Sequence, residues 1–474
     1  MPTRTHRDPE TVGPVLDELL SEDSPTTELA RAFRAAGHDL YVVGGHLRDA
    51  LLGRPPMEEV DLATDATPEQ TLEIIRPRAS SVWLQGQRYG TVGAEVRGQR
   101  VEITTFRKER YSEGSRHPQV AFEADIVSDL SRRDFTINAM ALRLPEREFL
   151  DPFGGRADLE AKILKTPGDA RASFADDPLR MLRCFRFVSQ LEFSVGRDVV
   201  DAVVDLKGKL ESVSAERIRD ELSKLLVGAA PAKALAIADA TGLTSLFLPE
   251  LSDLKLQQDP VHRHKDVFAH TLAVVERTPP DLELRLAALL HDIGKPKTRR
   301  IGADGVSFHH HEVVGADMAR RRLRELRYPN EIVDKVGELI RLHHRFHTYR
   351  LGWSDSAVRR YARDAGPLLD DLNRLVRADC TTRNRELARR LGQRMDELQK
   401  RIQELAAKEE LGRLRPELDG NEIMELLGVP PGPIVGEARS FLLDIRLDEG
   451  PIGKDAARER LLRWARDKGV RPPT

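Results

Sequence analysis

The feature that most restricts the fold of this 474-residue chain is the apolar run LYVVGG at 40–45, which ends in two glycines. The run predicts a buried strand, and HLRDALLG at 46–53 predicts a helix directly after it. Gly44 and Gly45 carry no side chain, so the backbone can approach a ligand closely. The free N–H groups at the start of a helix suit a phosphate, and Arg48 adds positive charge there. The pattern therefore predicts a phosphate-binding turn between a strand and a helix.

A pair of acidic residues follows in a second strand-like segment. Glu59 and Asp61 are two residues apart beside VDLAT at 60–64, which places both carboxylates on one face of a sheet. Two carboxylates that converge on a hard cation suit Mg²⁺ bound to phosphate oxygens. Glu58 would point to the opposite face. Glu102, in VEITTF at 101–106, faces either the same site or solvent.

The chain changes character near residue 156. The earlier part mixes helical and strand-like segments, among them TVGAEV at 91–96, whereas the later part is almost wholly helical in pattern. A polar segment at 107–119 predicts a mobile loop. We therefore predict five regions: a loose N-terminal arm at 1–24, an α/β head at 25–155, a helical neck at 156–253, a histidine-rich domain at 254–390 and a helical tail at 391–474.

Composition limits the class of protein. Hydrophobic residues make up 40% and charged residues 32%, which is enough apolar material for buried cores. No apolar run is long enough to span a bilayer, and the N-terminal residues lack the apolar core of a signal peptide. Cys184 and Cys380 form no disulfide framework. The sequence predicts a soluble, cytoplasmic protein with no membrane partner. The net charge of −2 neither supports nor excludes nucleic-acid binding.

Five segments together resemble the class II nucleotidyltransferases, the bacterial CCA-adding enzymes and their poly(A) polymerase relatives in the polymerase-β-like superfamily. The resemblance covers nearly the whole chain. It implies an α+β fold, with a small N-terminal polymerase-β-like α/β head followed by all-helical neck, body, HD and tail domains. The segments are YVVGGHLRDALLGRPPMEEVDLATDATPEQ, RRDFTINAMA (132–141), DPFGG (151–155), DDPLRMLRCFRF (176–187) and SAERIRDEL (214–222).

The resemblance implies roles for the acidic pair. Glu59 and Asp61 would be the catalytic carboxylates that hold Mg²⁺. The family pattern is usually Asp-x-Asp, and a glutamate in first place moves the ligand oxygens by about a bond length. Because shifts on the order of 1 Å can cost ~100-fold in rate, Glu59 bears directly on the efficiency of this site.

The resemblance also implies a protein template for base selection. Asp177 and Arg180 would hydrogen-bond to the Watson–Crick edge of the incoming CTP or ATP, since both bases carry an exocyclic amine and uracil does not. Without the resemblance, these two residues read as an i,i+3 ion pair on a solvated helix. Asn138 is either structural or directed at the ribose. Further nucleotide contacts are expected from Gly44, Gly45, Arg48, Arg133, Arg183 and Arg186.

Histidine and aspartate, which divalent metals favour as ligands, recur between residues 262 and 379. Their order resembles the HD superfamily of metal-dependent phosphohydrolases. The resemblance implies that His270, His291, Asp292 and Asp379 bind a divalent metal of unknown identity. His311 and His343 are candidates for a second metal or for phosphate binding, whereas His309, His310 and His344 read as neighbours. The sequence leaves three interpretations of this region: a catalytic site, a structural metal site, or RNA binding alone.

The favoured interpretation is a Mg²⁺-dependent CCA-adding enzyme that extends the 3′ end of tRNA from CTP and ATP and releases pyrophosphate. The basic segment RLHHRFHTYR at 341–350 supplies candidate phosphate contacts. The alternatives are a poly(A) polymerase, an enzyme that adds only CC or only A, an HD phosphohydrolase with a weakened transferase domain, and a non-catalytic RNA-binding protein.

Overall fold

The computed structural model describes residues 14–55, 58–84, 90–106, 108–110, 119–121, 125–256, 266–302, 305–348, 354–380, 385–409 and 415–470. The chain divides into two compact units, residues 1–247 and 248–474. The first unit contains a sheet with helices, and the second is almost entirely helical. The α+β prediction, with an α/β head at the N-terminal end and helices after it, is confirmed.

A seven-stranded mixed sheet organises the first unit, in the order β3-β4-β5-β2-β1-β8-β9. Strand β1, an interior strand of this sheet, is fully buried, as its apolar sequence LYVV predicts. It pairs antiparallel with β2 and with β8, while β2 pairs parallel with β5. The strands are β1 (Leu40–Val43), β2 (Glu59–Thr64), β3 (Ser81–Trp83), β4 (Thr91–Val96), β5 (Gln99–Thr105), β8 (Ala141–Leu144) and β9 (Glu148–Leu150).

Helices surround this sheet and continue to the end of the unit. Helix α8 packs against α10 and α11 through a buried face that includes Phe185 and Leu182. The helices are α1 (Pro14–Leu19), α2 (Pro25–Ala35), α3 (Gly44–Leu51), α4 (Pro68–Ile75), α5 (Ile126–Ser131), α6 (Gly155–Glu160), α7 (Ala170–Asp176), α8 (Leu179–Leu191), α9 (Arg197–Leu206), α10 (Ala215–Leu226) and α11 (Pro231–Ala240). Two short strands, β10 (Ile163–Leu164) and β11 (Ser194–Val195), pair in parallel.

Two sequence expectations need correction in this unit. Residues 14–24 do not form a loose arm, because α1 buries Leu16 and Leu19 and the next residue, Leu20, is also buried. The polar segment at 107–119 includes part of a two-stranded antiparallel sheet, in which β6 (Lys108–Arg110) pairs with β7 (Gln119–Ala121). The rest of that predicted loop, and residues 1–13 of the predicted arm, lie outside the described residues.

Within its described residues, the second unit consists of helices and one hairpin, β12 (Arg299–Gly302) and β13 (Gly305–Phe308). None of the helices within the described residues is both long and apolar enough to cross a bilayer. The helices are α12 (Pro249–Ser252), α13 (Val267–Arg277), α14 (Leu282–Leu290), α15 (Lys295–Thr298), α16 (His311–Glu325), α17 (Asn330–Leu342), α18 (Arg345–Thr348), α19 (Asp355–Ala365), α20 (Leu369–Asp379), α21 (Arg385–Glu409), α22 (Gly420–Leu427), α23 (Pro433–Glu449) and α24 (Lys454–Asp467).

Candidate nucleotide and metal sites

The turn between β1 and α3 lies beside the acidic strand. Gly44 adopts a φ of +69°, a conformation that favours glycine. A Cβ atom at this position would lie 3.1 Å from Arg133 Nη1 and 3.2 Å from Asp61 Oδ2. The glycine therefore lets a guanidinium group and a carboxylate converge on the first turn of α3.

Three carboxylates share one face of the sheet. Glu59 and Asp61 alternate with the buried Val60 and Leu62, and Asp61 lies in register with Glu102 of the parallel strand β5. Burial raises the pKa of Asp61, against the opposing effect of Arg133 and Arg48. Burial also raises the pKa of Glu102, and the charges of Glu59 and Asp61 raise it further. Glu102 thus faces the acidic pair and not bulk solvent, which resolves the choice that its sequence left open.

A hydrogen-bond chain in the interior connects α3 with the segment between α5 and β8. Asp49 accepts two bonds from the Arg48 guanidinium, at 2.9 and 2.8 Å, and Asn138 Oδ1 accepts a third at 2.8 Å. Asn138 Nδ2 in turn donates to Asp134 at 2.9 Å. Of the two readings of Asn138, this geometry supports the structural one, because both ends of its amide hold charged side chains in place.

Asp134 is the centre of this chain, and its role was not foreseen. Its carboxylate accepts from Arg183 at 2.9 and 2.6 Å and from the Phe135 N–H at 2.8 Å. Burial would raise the pKa of Asp134, but Arg183 and these hydrogen bonds lower it to about 2. An acid directly after Arg133, in a segment that turns out to be buried, was the only sequence signal for it.

Asp177 and Arg180 both line a cleft of about 520 Å³ that also contains Asp61, Arg133 and Glu102. They do not form the i,i+3 ion pair of the simpler interpretation. Asp177 precedes α8 in an extended conformation, because Pro178 starts the helix after it. Arg217 Nη2 donates to Asp177 at 3.0 Å, a partner that the sequence did not predict.

The other arginines of the segment have distinct surroundings. Arg180 donates to Ser173 Oγ at 2.7 Å and to the Arg132 carbonyl at 2.5 Å. Arg186 forms an ion pair with Glu221 at 3.1 Å and lies 4.3 Å from the centre of the Phe187 ring. One face of α8 therefore borders two adjacent clefts. Arg180 and Arg183 line the first cleft, and Arg183 and Arg186 line the second.

The second unit brings the predicted histidines and aspartates together. Two groups with ligand atoms within 4.8 Å of one another contain Asp292: His270 and His291 complete one, and His311 and His343 complete the other. Asp379 Oδ1 lies 2.8 Å from His270 Nε2 and 3.7 Å from His291 Nε2. The other five candidates therefore lie around the carboxylate of Asp292.

Backbone carbonyls fix the orientation of three of these histidines. His291, His311 and His343 each donate Nδ1–H to the carbonyl three residues earlier, at 2.8, 2.8 and 2.6 Å. This directs Nε2 into the cluster, which is the usual arrangement of a metal-binding histidine. His291 Nε2 is buried and has no hydrogen-bond partner, so the donor set fits a cation.

The histidines of the cluster differ in charge state. Burial would lower the pKa of His291, but Asp292 and Asp379 raise it. Burial lowers the pKa of His343 to about 3 and also lowers the pKa of His270 and of His311, so these rings are neutral ligands. Burial would raise the pKa of Asp292, but His291 and Lys295 hold it well below its usual range. Lys295 Nζ donates to Asp292 Oδ2 at 2.6 Å.

The remaining histidines and basic residues are less central. His309 and His310 are exposed, and the ring of His344 contacts those of His311 and His343, at 5.1 and 6.2 Å between centres. In the basic segment 341–350, Arg341 pairs with Glu338 and Arg345 with Asp364. Arg350 lies outside the described residues.

Three family models match the chain. They are the poly A polymerase head domain at residues 40–165, the probable RNA and SrmB-binding site of polymerase A at 192–255, and the HD domain at 267–384. The first two contain the cleft residues before and after α8, and the third contains the cluster around Asp292.

Known proteins resemble the chain over most of its length. The A-adding tRNA nucleotidyltransferase of Deinococcus radiodurans is 37% identical over 74% of this chain and 82% of its own. The CC-adding tRNA nucleotidyltransferase of Thermus thermophilus is 33% identical over 90% and 94%. The crystal structure of the Bacillus stearothermophilus CCA-adding enzyme in complex with CTP matches with a TM-score of 0.69 and 27% identity, over 96% of this chain and 99% of that one.

Proposed function

The chain belongs to the CCA-adding enzyme and poly(A) polymerase family of nucleotidyltransferases, and from this premise we propose that it adds C, C and A to the 3′ end of tRNA from CTP and ATP. The observation that supports the proposal is the cleft of the first unit. It combines a carboxylate cluster, the glycine turn before α3 and the pair Asp177 and Arg180 in one cavity.

The carboxylates account for metal dependence in this proposal. Burial and mutual repulsion raise the pKa of Glu102, and burial raises the pKa of Asp61, so the cluster favours a cation nearby. Glu59 and Asp61 would hold Mg²⁺, an ion that prefers oxygen ligands. When bound, it would neutralise the charge that develops on the phosphate oxygens.

The chemical step in this proposal is largely a matter of positioning. The 3′-hydroxyl oxygen of tRNA attacks the α-phosphorus, the bond from the α-phosphorus to the bridging oxygen breaks, and pyrophosphate leaves with the electron pair. Glu102 faces the reaction centre and accepts the hydroxyl proton. Arg133 lies beside Asp61 and offsets the negative charge of the phosphates.

Base choice in this proposal depends on Asp177 and Arg180. Asp177 accepts a hydrogen bond from the exocyclic amine of cytosine or adenine, and Arg180 donates to a ring nitrogen or carbonyl oxygen. Arg217 keeps the Asp177 carboxylate in place. The relatives that add only A or only CC show that one family contains several product patterns.

The decisive experiment supplies purified protein, Mg²⁺ and labelled tRNA that lacks its 3′ end with CTP, with ATP and with both. Addition of C, C and A in order supports the proposal, whereas A alone, CC alone or long A tails replaces it with the corresponding activity. Asp61→Asn is the inactive control. Glu59→Asp restores the usual acid pair, and we expect it to be faster, by up to ~100-fold.

A second function is favoured by one observation, the position of Asp292 in both metal-ligand groups of the second unit. We propose that this site hydrolyses phosphoesters, and that Asp292 together with the histidines of both groups would hold the divalent metal it needs. The test measures bound metal by mass spectrometry and hydrolysis of p-nitrophenyl phosphate and a 2′,3′-cyclic nucleotide. We expect Asp292→Asn to lose metal and hydrolysis, and His344→Ala to retain both. Metal binding without hydrolysis of either substrate would make the site structural.

A further inference from the structure

The acidic face of the sheet continues beyond the nucleotide cleft, the cavity that Asp61 and Glu102 line, to the edge strand β3. Asp61 pairs with Glu102 across β2 and β5. Glu102 pairs in turn with Gly93 of β4, and Gly93 pairs with Trp83 of β3. Directly paired residues of neighbouring strands project from the same face of a sheet. Trp83 therefore belongs to the same row as the carboxylates, two strands beyond Glu102.

Gly93 is the point at which the Trp83 indole crosses β4. A Cβ atom at this position would lie 1.8 Å from the indole Nε1 and 2.2 Å from Cε2, so no side chain fits there. The ring occupies the space of the missing side chain and extends from β3 toward Glu102. It also accounts for the burial along β4, because Thr91 and Glu95 on this face are partly exposed, whereas Gly93 between them is buried.

The Trp83 ring keeps an accessible surface on the open side of the sheet. Its side chain is half-buried, and β3 is the last strand at this edge within the described part of the chain. The opposite face of the sheet is the core, where Val92 and Ile103 are fully buried. An aromatic ring in the row of a carboxylate cluster offers a π-face to a nucleobase, and proteins that hold single-stranded RNA use such rings as stacking platforms.

The spacing of the strands suits one nucleotide. Neighbouring strands lie about 4.8 Å apart, so the ring above Gly93 is roughly 5 Å from the strand that carries Glu102. One ribose separates a 3′-hydroxyl at Glu102 from the base of its own nucleotide. Thr91 and Thr104 line the cleft beside these two residues, and their hydroxyl groups are 3.0 Å apart. One hydroxyl hydrogen of this pair remains to donate to the ribose.

The incoming nucleotide occupies a different part of this face in the proposed reaction. Its base is expected at Asp177 and Arg180, which line the cleft, whereas Trp83 lies outside that lining. The glycine turn, which suits phosphates, borders Asp61 on the side of β1, and Trp83 lies on the side of β5. In-line displacement places the attacking oxygen opposite the leaving oxygen. Phosphates near Gly44 therefore leave the β5 side for the attacking hydroxyl.

We propose that the Trp83 indole is the stacking platform for the 3′-terminal base of the RNA acceptor, whose 3′-hydroxyl then lies at Glu102. The proposal rests on the nucleotidyl transfer proposed above and adds to it the position of the acceptor end. Stacking tolerates any base, because every base has a π-face. The same ring therefore holds successive acceptor ends that terminate in different bases.

The test measures kcat and KM for two RNA acceptors, one with a normal 3′-terminal nucleotide and one whose terminal nucleotide lacks its base. In Trp83→Ala, we expect the KM for the normal acceptor to rise about tenfold, while the KM for CTP stays within about twofold. With the abasic acceptor, Trp83→Ala and the native chain should agree within about twofold, because neither can stack. Trp83→Phe keeps a ring and should stay within about threefold of the native KM.

A second variant keeps the indole and moves it. In Gly93→Ala, the methyl group would displace the ring from β4, so the KM for the normal acceptor should rise as it does in Trp83→Ala. Leu84→Ala is the matched control, because Leu84 follows Trp83 directly and is 44% exposed. We expect it to leave both KM values unchanged. All variants are compared at equal folded fraction.

An unchanged KM in Trp83→Ala, or an equal rise for the normal and the abasic acceptor, overturns the proposal. A raised KM for CTP also overturns it and assigns the ring to the incoming base instead. Quenching of tryptophan fluorescence by the normal acceptor, compared between the native chain and Trp83→Phe, tests the stacking without turnover, and its absence overturns the platform. If the native chain extends no RNA but this quenching remains, the proposed transfer fails and the stacking site stands.

Discussion

At the scale of single residues, the nucleotide cleft depends on groups that take their properties from close neighbours. A side chain at Gly44 would crowd Arg133 and Asp61, whose nearest atoms lie 3.1 and 3.2 Å from the position of a Cβ. Asp134 keeps its charge in the interior because Arg183 and Asn138 bind it. Each of these contacts permits a direct test.

Gly44→Ala should impair nucleotide addition far more than it impairs folding. The new methyl group would lie 3.1 Å from Arg133 Nη1 and 3.2 Å from Asp61 Oδ2, so these groups would have to shift by a few tenths of an ångström, and kcat should fall by about tenfold. Gly53→Ala is the matched control, since Gly53 has a φ of +66° but no atom within 4 Å of the added Cβ. Similar kcat values for the two variants, measured at equal folded fraction, would contradict this role for Gly44.

Asp134→Asn should destabilise the first unit by about 2–3 kcal/mol, because the half-buried Arg183 loses its nearest charge partner and keeps only Glu221, at 3.5 Å. The folded-state pKa of about 2 lies below the unfolded value, so the carboxylate stabilises the fold above pH ~4 and this contribution disappears as the pH falls through about 2. The size of that contribution is roughly 2 kcal/mol.

Urea unfolding of the native chain and of Asp134→Asn between pH 6 and pH 2 tests this prediction. The difference between the two proteins should shrink as the pH falls. Asp205→Asn, which breaks the exposed pair with Arg171, should cost less than ~1 kcal/mol. A difference between native chain and Asp134→Asn that is independent of pH would be inconsistent with a charged Asp134.

At the scale of elements, α8 and α10 together build the base-recognition end of the cleft. Pro178 starts α8 after Asp177, so Asp177 and Arg180 are not neighbours on one continuous helix. Helix α10 packs on α8 and contributes Arg217, which holds Asp177, and Glu221, which pairs with Arg183 and Arg186.

Arg217→Ala should weaken discrimination among nucleotides. Without the hydrogen bond from Arg217, the Asp177 carboxylate can rotate, so kcat/KM for CTP should fall about tenfold while UTP is less affected. Arg219→Ala, on the same helix and paired with Asp220, serves as the control. The measurement is single-nucleotide incorporation with each of the four triphosphates, and an unchanged ratio of CTP to UTP would remove Arg217 from base selection.

At the scale of the whole molecule, the two candidate sites belong to different compact units, and each site is built from residues of its own unit. The carboxylates of the first unit can therefore lose their charge without altering the donor atoms around Asp292. Likewise, a substitution at Asp292 removes no side chain from the cleft of the first unit, because the two sites have no residue in common.

This separation predicts independent metal sites in the full chain. Asp292→Asn should lose the metal of the second unit while retaining nucleotide addition within about twofold of the native rate. Asp61→Asn should lose nucleotide addition while retaining the metal of the second unit. Paired metal analysis and incorporation assays on the same preparations provide the measurement. A loss of both properties in either variant would show that the two units are coupled.

The sequence by itself determined the local features. Alternation along 59–64 placed Glu59 and Asp61 on one face, the apolar run before Gly44 gave a buried strand, and the change of pattern near 156 gave the α+β class. Such features depend on the spacing of apolar residues along the chain and on the backbone conformations open to glycine, and both are properties of short segments of sequence. The helix at 14–19 was missed because six residues carry too little pattern to reveal a buried face.

Only the tertiary structure decided which distant residues meet. The orientation of Glu102 required the parallel register of β2 with β5, and the functions of Asp134 and Arg217 as partners of Arg183 and Asp177 required the packing of α8 against the head and against α10. The position of Asp292 between two histidine groups likewise joins four helices that are far apart in sequence. Such contacts depend on how elements pack, and no local pattern encodes the partner of a charged side chain.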